Sequence, residues 1–196
     1  MSGAAGAVEF LREFVKSPTT TAAVGPSSQH LARDMVAPVP STGDPVVVEL
    51  GPGTGAFTEA IQRRLGGRGT HLAVELNERW AESLGRRFPA VEVVRADARE
   101  LPKLLADRGV RADVVVSGLP WAAHAPQDGV PLIRLVAESL TPEGAFTQFA
   151  YTWTRWAAPA RRQHADLRAH FDETVVSRTV WRNVPPALVY LARRPR

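Results

Sequence analysis

The sequence predicts an α/β fold: a mostly parallel seven-stranded sheet with an antiparallel last strand, helices on both faces and a helical segment ahead of it. Three observations carry this prediction. From residue 46 onward, short β-branched runs alternate with longer amphipathic stretches, the pattern of a parallel sheet covered on both sides. One run, Val46 to Leu50, passes directly into Gly51-Pro52-Gly53-Thr54-Gly55 and then into a helical stretch. The chain closes on two apolar runs separated by Arg182-Asn183-Val184-Pro185-Pro186-Ala187, a loop suited to antiparallel neighbours.

Taken in order, Val46 to Leu50, Leu72 to Leu76, Val91 to Ala96 and Val114 to Ser117 read as buried strands. Between them, Thr58 to Leu65, Glu78 to Phe88 and Arg99 to Arg108 have helical spacing, as in Ile61 with Leu65, or Trp80 with Leu84 and Phe88. A further helix from about Val130 to Leu140 stops at the turn Thr141-Pro142-Glu143-Gly144. Ala145 to Tyr151 supplies the fifth strand, an Arg-rich helix runs from about Arg155 to His170, and Glu173 to Trp181 and Leu188 to Ala192 complete the sheet. Ahead of it, Val8 to Lys16 and Ser27 to Val36 are helical candidates, with Ser27 as the expected N-cap. The expected organisation is a helical lid over residues 1–45 and one compact domain over 46–196.

Length and composition bound the function. At 196 residues and 44% hydrophobic, the chain suits one ordinary domain. With no cysteine, disulfides, thiolate metal sites and thiol nucleophiles are excluded. The histidines show no ligand spacing with carboxylates, so no metal is expected. Glu9, Arg12 and Glu13 interrupt any leader-like apolar run, and no window approaches a membrane span, which leads to the expectation of a soluble cytoplasmic protein. Charge is uneven: residues 1–150 carry 15 Lys+Arg against 17 Asp+Glu, whereas 151–196 carry 9 against 3. Such a basic end suits a phosphate-bearing partner or simply a solvated face.

The segment that carries chemistry begins at the first strand. Glycines after a strand let a ligand approach the backbone, and the following helix N-terminus offers free N–H groups. Gly51, Gly53 and Ala56 formally fit a dinucleotide fingerprint, whereas Glu49 with Gly51, Gly53 and Gly55 fits the E-x-G-x-G-x-G pattern of S-adenosylmethionine enzymes. Glu49, two residues before the first glycine, suits the cationic methionine end of that cofactor. Glu75, at the second strand end, suits the two ribose hydroxyls in either ligand class. Asp97, at the third, suits the adenine amino group and favours S-adenosylmethionine. The alternative, that these acids cap helices or pair with arginines, accounts well for one of them and poorly for three at successive strand ends.

At the fourth strand end stands Ser117-Gly118-Leu119-Pro120-Trp121, where a methyl acceptor would meet the cofactor. With Ala23-Val24-Gly25-Pro26-Ser27-Ser28 and Val180-Trp181-Arg182-Asn183-Val184-Pro185-Pro186-Ala187, these motifs span nearly the whole chain. The chain resembles the class I S-adenosylmethionine-dependent methyltransferases, specifically the soluble bacterial phospholipid (phosphatidylethanolamine) N-methyltransferases and, more distantly, the rRNA adenine dimethyltransferases. The resemblance implies a Rossmann-like sheet with the cofactor over the carboxyl ends of its first four strands. Ser27 and Ser28 would face the cofactor, and Leu76, Ala98 and Ser117 would complete its set. It also implies that the Val8 to Lys16 helix touches anionic membrane, although Glu9, Arg12, Glu13 and Lys16 sum to zero charge.

The departures concern the acceptor. The rRNA enzymes carry Asn where position 117 is Ser, which argues against adenine and makes a nucleic-acid partner unexpected. Trp121 stands where the lipid enzymes have an aliphatic residue, and its ring suits a sulfonium or methylated ammonium. Ser117, Pro120, Trp121, His124 and Tyr151 form the candidate catalytic set, with His124 and Tyr151 the candidates to take a proton from an ammonium acceptor. The expected function is methyl transfer to an amine of a phospholipid headgroup or related small molecule. The competing functions are N- or O-methylation of a soluble natural product, and an RNA-associated binding module on the same fold.

Overall fold

A computed structural model describes residues 27–120, 129–154 and 158–196. The expected helix Val8 to Lys16 and the candidates Trp121 and His124 lie outside the described residues.

The seven strands form one sheet in the order β3-β2-β1-β4-β5-β7-β6. They are β1 (Val46–Leu50), β2 (Thr70–Glu75), β3 (Glu92–Arg95), β4 (Ala112–Ser117), β5 (Leu140–Tyr151), β6 (Phe171–Val176) and β7 (Ala187–Pro195). Pairings among the first five are parallel, and β7 runs antiparallel to both β5 and β6. The expected mostly parallel sheet with a reversed last strand is therefore present. Strand order reverses at β1, which lies between β2 and β4, and open α/β sheets bind ligands at the carboxyl ends beside such a switch point.

Six α-helices are described: α1 (Gln29–Met35), α2 (Ala56–Leu65), α3 (Glu78–Arg87), α4 (Leu101–Ala106), α5 (Leu132–Ser139) and α6 (Ala158–His170). Alternation along the strands sorts the core by face. Val48, Leu50, Leu72 and Val74 pack with Leu101, Leu105, Ile133, Val136 and Leu167 from α4, α5 and α6. Val47, Val114 and Val116 face Leu31 and Met35 of α1 and Phe57 and Ile61 of α2, and Ala73 meets Leu84 of α3.

Several expected boundaries shift for local chemical reasons. The cap of α1 is Ser28, not Ser27: its side chain accepts from Leu31 N at 3.2 Å, while its own N–H donates to Asn183 Oδ1 at 2.8 Å. The stretch expected as one helix from Arg99 splits into a 3₁₀ turn, Ala98–Glu100, and α4. Pro102 lacks an N–H and suits a first helical turn, so the α-helix restarts there. Pro131 likewise caps α5, delaying it from the expected start at Val130. The expected turn at Thr141 to Gly144 lies within β5 as an irregularity: Ala112 pairs with Leu140, yet Val114 pairs with Ala145. At the other end, β6 stops at Val176 instead of Trp181. The intervening loop is tied back to β7 by Ser177, whose N–H donates to Val189 O at 2.8 Å and whose Oγ accepts from Val189 N at 2.9 Å, and by an isolated bridge, Val180 to Ala187.

Candidate active site

Parallel pairing brings the carboxyl ends of β1 to β5 to one edge of the sheet, and with them Glu49, Glu75, Ser117 and Tyr151, with Asp97 just past β3. Backbone bonds lock these ends together: Gly51 N donates to Val74 O at 2.9 Å and Gly118 N to Leu50 O at 2.8 Å. The turns after β1 and β4 lie so close that a Cβ on Gly118 would stand 2.5 Å from the Gly51 carbonyl oxygen. Gly51 and Gly53, at φ +64° and +53°, hold the left-handed conformation that lets the turn fold back over the sheet edge.

Glu75 is the keystone of this turn. Buried at the end of β2, its carboxylate accepts from Gly53 N at 3.0 Å through one oxygen and from Asn77 N at 2.9 Å through the other. One side chain thus ties the glycine turn to the N-terminus of α3, whose cap Asn77 accepts from Trp80 N at 3.2 Å. Each carboxylate oxygen retains a second lone pair for a ligand hydroxyl. Next to it Leu76 is 66% exposed, apolar surface at the mouth of the sheet.

Asp97 is exposed and caps the 3₁₀ turn, its Oδ1 accepting from Arg99 N at 2.8 Å while its N–H donates to Glu100 Oε1 at 3.0 Å. The capping alternative raised from sequence therefore describes this acid. Ala98 begins the same turn, half-buried.

Glu49 stands elsewhere than expected. Its side chain turns from the strand end into the layer between the sheet and α2, fully buried. There Oε2 accepts from Thr58 Oγ1 at 2.7 Å and lies 3.2 Å from His71 Nε2, while Oε1 is shut off from solvent without a hydrogen-bond partner. The expected open rim of three acids thus corresponds to two acids at the edge and one beneath the glycine turn. Sequence reasoning missed Thr58 and His71, which meet it, and Gln62, which meets His71; a polar histidine amid the apolar residues of a buried strand was the available signal.

At β4, Ser117 is buried, and its Oγ accepts from Leu119 N at 3.2 Å, bracing the turn that leads to Pro120. At β5, Tyr151 stacks on Trp153, with ring centroids 6.2 Å apart and planes within 4°. Burial pushes its phenol up from 10.0 to about 12. Ser28 reaches the same end of the molecule through Asn183, in the loop before β7. Ser27 instead lines a groove of about 510 Å³ between α1 and α2, which meets the glycine turn at Thr54 and Gly55 but includes neither Glu75 nor Asp97.

Against known proteins, residues 47–144 match the family described as a methyltransferase domain. The chain is also 36% identical over 189 residues, 94% of each length, to ornithine lipid N-methyltransferase from Singulisphaera acidiphila. This chain belongs to the methyltransferase family. A ribosomal RNA small subunit methyltransferase A from Polaromonas is 34% identical over 103 residues, 52% of this chain and 30% of that protein. In fold, this methyltransferase is similar to the Thermus thermophilus 16S rRNA N2 G1207 methyltransferase, solved in complex with AdoMet and guanosine. The TM-score is 0.58 at 17% identity, covering 84% of this chain and 42% of that one.

The protein is therefore an S-adenosylmethionine-dependent methyltransferase, and its residues fit the cofactor. A glycine turn lies against the sheet edge, an acid with spare lone pairs stands at the second strand end, and a buried carboxylate oxygen lacks a partner below. Among the described residues, no group of three or more His, Asp or Glu gathers as metal ligands, and no helix is long and apolar enough to cross a membrane.

Proposed function

We propose that this methyltransferase transfers a methyl group to an amine carried on a lipid headgroup. The observation that carries the proposal is the 36% identity to ornithine lipid N-methyltransferase across 94% of both chains, which leaves no large part of either unmatched.

The rim supports it. Trp153, Trp181 and Val184 are exposed, and Thr152 N donates to Pro186 O at 3.0 Å, tying the end of β5 to the loop that carries Trp181 and Val184. Arg182 stands between those two residues, its NH1 3.4 Å from His30 Nε2. Tryptophan with arginine beside an apolar tip suits the interface of an anionic lipid surface, where the ring sits at headgroup depth and the guanidinium meets phosphate.

In this reading Glu75 holds the ribose hydroxyls, and the Asp97 carboxylate accepts from the adenine amino group. Leu76 covers the base, and Glu49 supplies negative field beneath the methionine end. Bound there, the cofactor would supply an activated methyl group on a sulfonium, whose neutral thioether is the leaving group. Catalysis then rests on positioning, with no covalent intermediate on the protein. Ser117 and Pro120 shape the wall between cofactor and amine. Tyr151 keeps its proton and serves as a wall and hydrogen-bond donor, which leaves His124, of the two candidates, to take the ammonium proton.

The test is incubation with methyl-labelled S-adenosylmethionine and, separately, ornithine lipid, phosphatidylethanolamine, free ornithine and ribosomal RNA. The expected outcome is label on a lipid amine. Label confined to a soluble amine or to RNA refutes the proposal.

A further inference from the structure

Beneath the glycine turn lies a cluster of polar side chains, Glu49, Thr58, His71 and the half-buried Gln62, of which the site as described uses only Glu49. Gln62 Nε2 lies 3.0 Å from His71 Nδ1. An amide NH₂ only donates, so Nδ1 accepts and the ring proton sits on Nε2. That nitrogen faces Glu49 Oε2 at 3.2 Å, both side chains being fully buried, and Thr58 Oγ1 donates to the same oxygen at 2.7 Å. Within this cluster, two buried atoms have no hydrogen bond: His71 Nε2, which lies close to Oε2 but off the line of a bond, and Glu49 Oε1. A carboxylate away from water with half its acceptor capacity unused is costly by itself. It is favourable where a cation comes to rest nearby, because the charge is little screened there.

We propose that His71 is a positioning residue: by facing Oε2, with Gln62 fixing its tautomer, it orients the Glu49 carboxylate so that Oε1 presents its charge to the ammonium-bearing end of S-adenosylmethionine. The proposal rests on the reading of Glu49 as the residue serving that end. Removing the imidazole takes away the ring that stands 3.2 Å from Oε2 and leaves only the Thr58 hydrogen bond to fix it, so the carboxylate turns and the field at the glycine turn weakens.

Three ligands separate this effect from damage to the turn. S-adenosylmethionine and S-adenosylhomocysteine carry the amino-acid end, whereas 5′-methylthioadenosine has the same nucleoside without it. By calorimetry, His71→Leu should weaken S-adenosylhomocysteine about tenfold or more while 5′-methylthioadenosine stays within about twofold, and His71→Gln, which places an amide N–H near Nε2, should restore most of the loss. Should the Leu variant fail to fold, His71→Asn, whose amide stops short of Oε2, takes its place against His71→Gln. Equal weakening of all three ligands, or unchanged S-adenosylhomocysteine binding, overturns the proposal. Glu49→Gln separates the two readings. If it leaves S-adenosylhomocysteine unaffected, the assignment of Glu49 fails; if it weakens binding while the His71 variants do not, only the role of His71 fails.

Discussion

Replacing Glu75 by Gln tests whether one carboxylate organises the cofactor edge. The wild-type side chain, 6% exposed, accepts from two backbone N–H groups, Gly53 at 3.0 Å and Asn77 at 2.9 Å. Gln offers one carbonyl oxygen and one NH₂, so one N–H keeps an acceptor and the other meets a donor. A hydrogen bond to a charged group contributes about 1.5–3 kcal/mol, and a buried donor left unpaired costs a similar amount, so the expected loss is about 2–3 kcal/mol. For a chain of this length about 1 kcal/mol lowers the melting temperature by roughly 2–4 °C, giving a drop of about 4–12 °C. Calorimetric melting measures this directly, and titration with S-adenosylhomocysteine should show weakened binding in the same variant. A melting temperature within about 1 °C of wild type, with unchanged affinity, would show that Glu75 neither braces the turn nor holds the ligand.

Four further outcomes are expected. Asp97→Ala should lose about 1 kcal/mol of stability through the broken capping box and bind cofactor more weakly, whereas Asp97→Asn should keep the cap and lose only affinity, as melting and titration would show. Gly118→Ala places a Cβ against the Gly51 carbonyl and should destabilise the fold by about 1–3 kcal/mol in chemical denaturation. Because the Tyr151 phenol rises from 10.0 to about 12 on folding, it contributes stability that is fully present below pH 10 and lost as pH climbs toward 12. Tyr151→Phe should therefore soften the alkaline decline of the melting temperature and leave the pH–rate profile near neutrality unchanged. Trp181→Ala should reduce co-sedimentation with phosphatidylglycerol vesicles several-fold while leaving S-adenosylhomocysteine binding intact.

Much of this fold is legible in the sequence because its signals are local. β-Branched runs such as Val46-Val47-Val48 are buried on both faces of a parallel sheet, and helix spacing such as Trp80 with Leu84 places one face on it. Glycines after a strand mark where the backbone must turn closely, and Asp97 reads as a cap as readily as a ligand because both roles need an acid at a strand end. Helix starts shifted where proline chemistry outweighed periodicity, at Pro102 and Pro131.

The sequence alone determined the α/β class, the strand and helix order, and that an acid stands at or just past the end of each of the first three strands, since periodicity and turn chemistry act over a few residues. Only the tertiary structure decided that Glu49 turns under the glycine turn to Thr58 and His71, residues 9 and 22 positions away in the chain. It alone decided that Glu75 reaches back 22 positions to Gly53, and that burial raises the Tyr151 phenol. Those outcomes depend on strand register and on which groups are shut off from water, and neither is set until distant segments pack together.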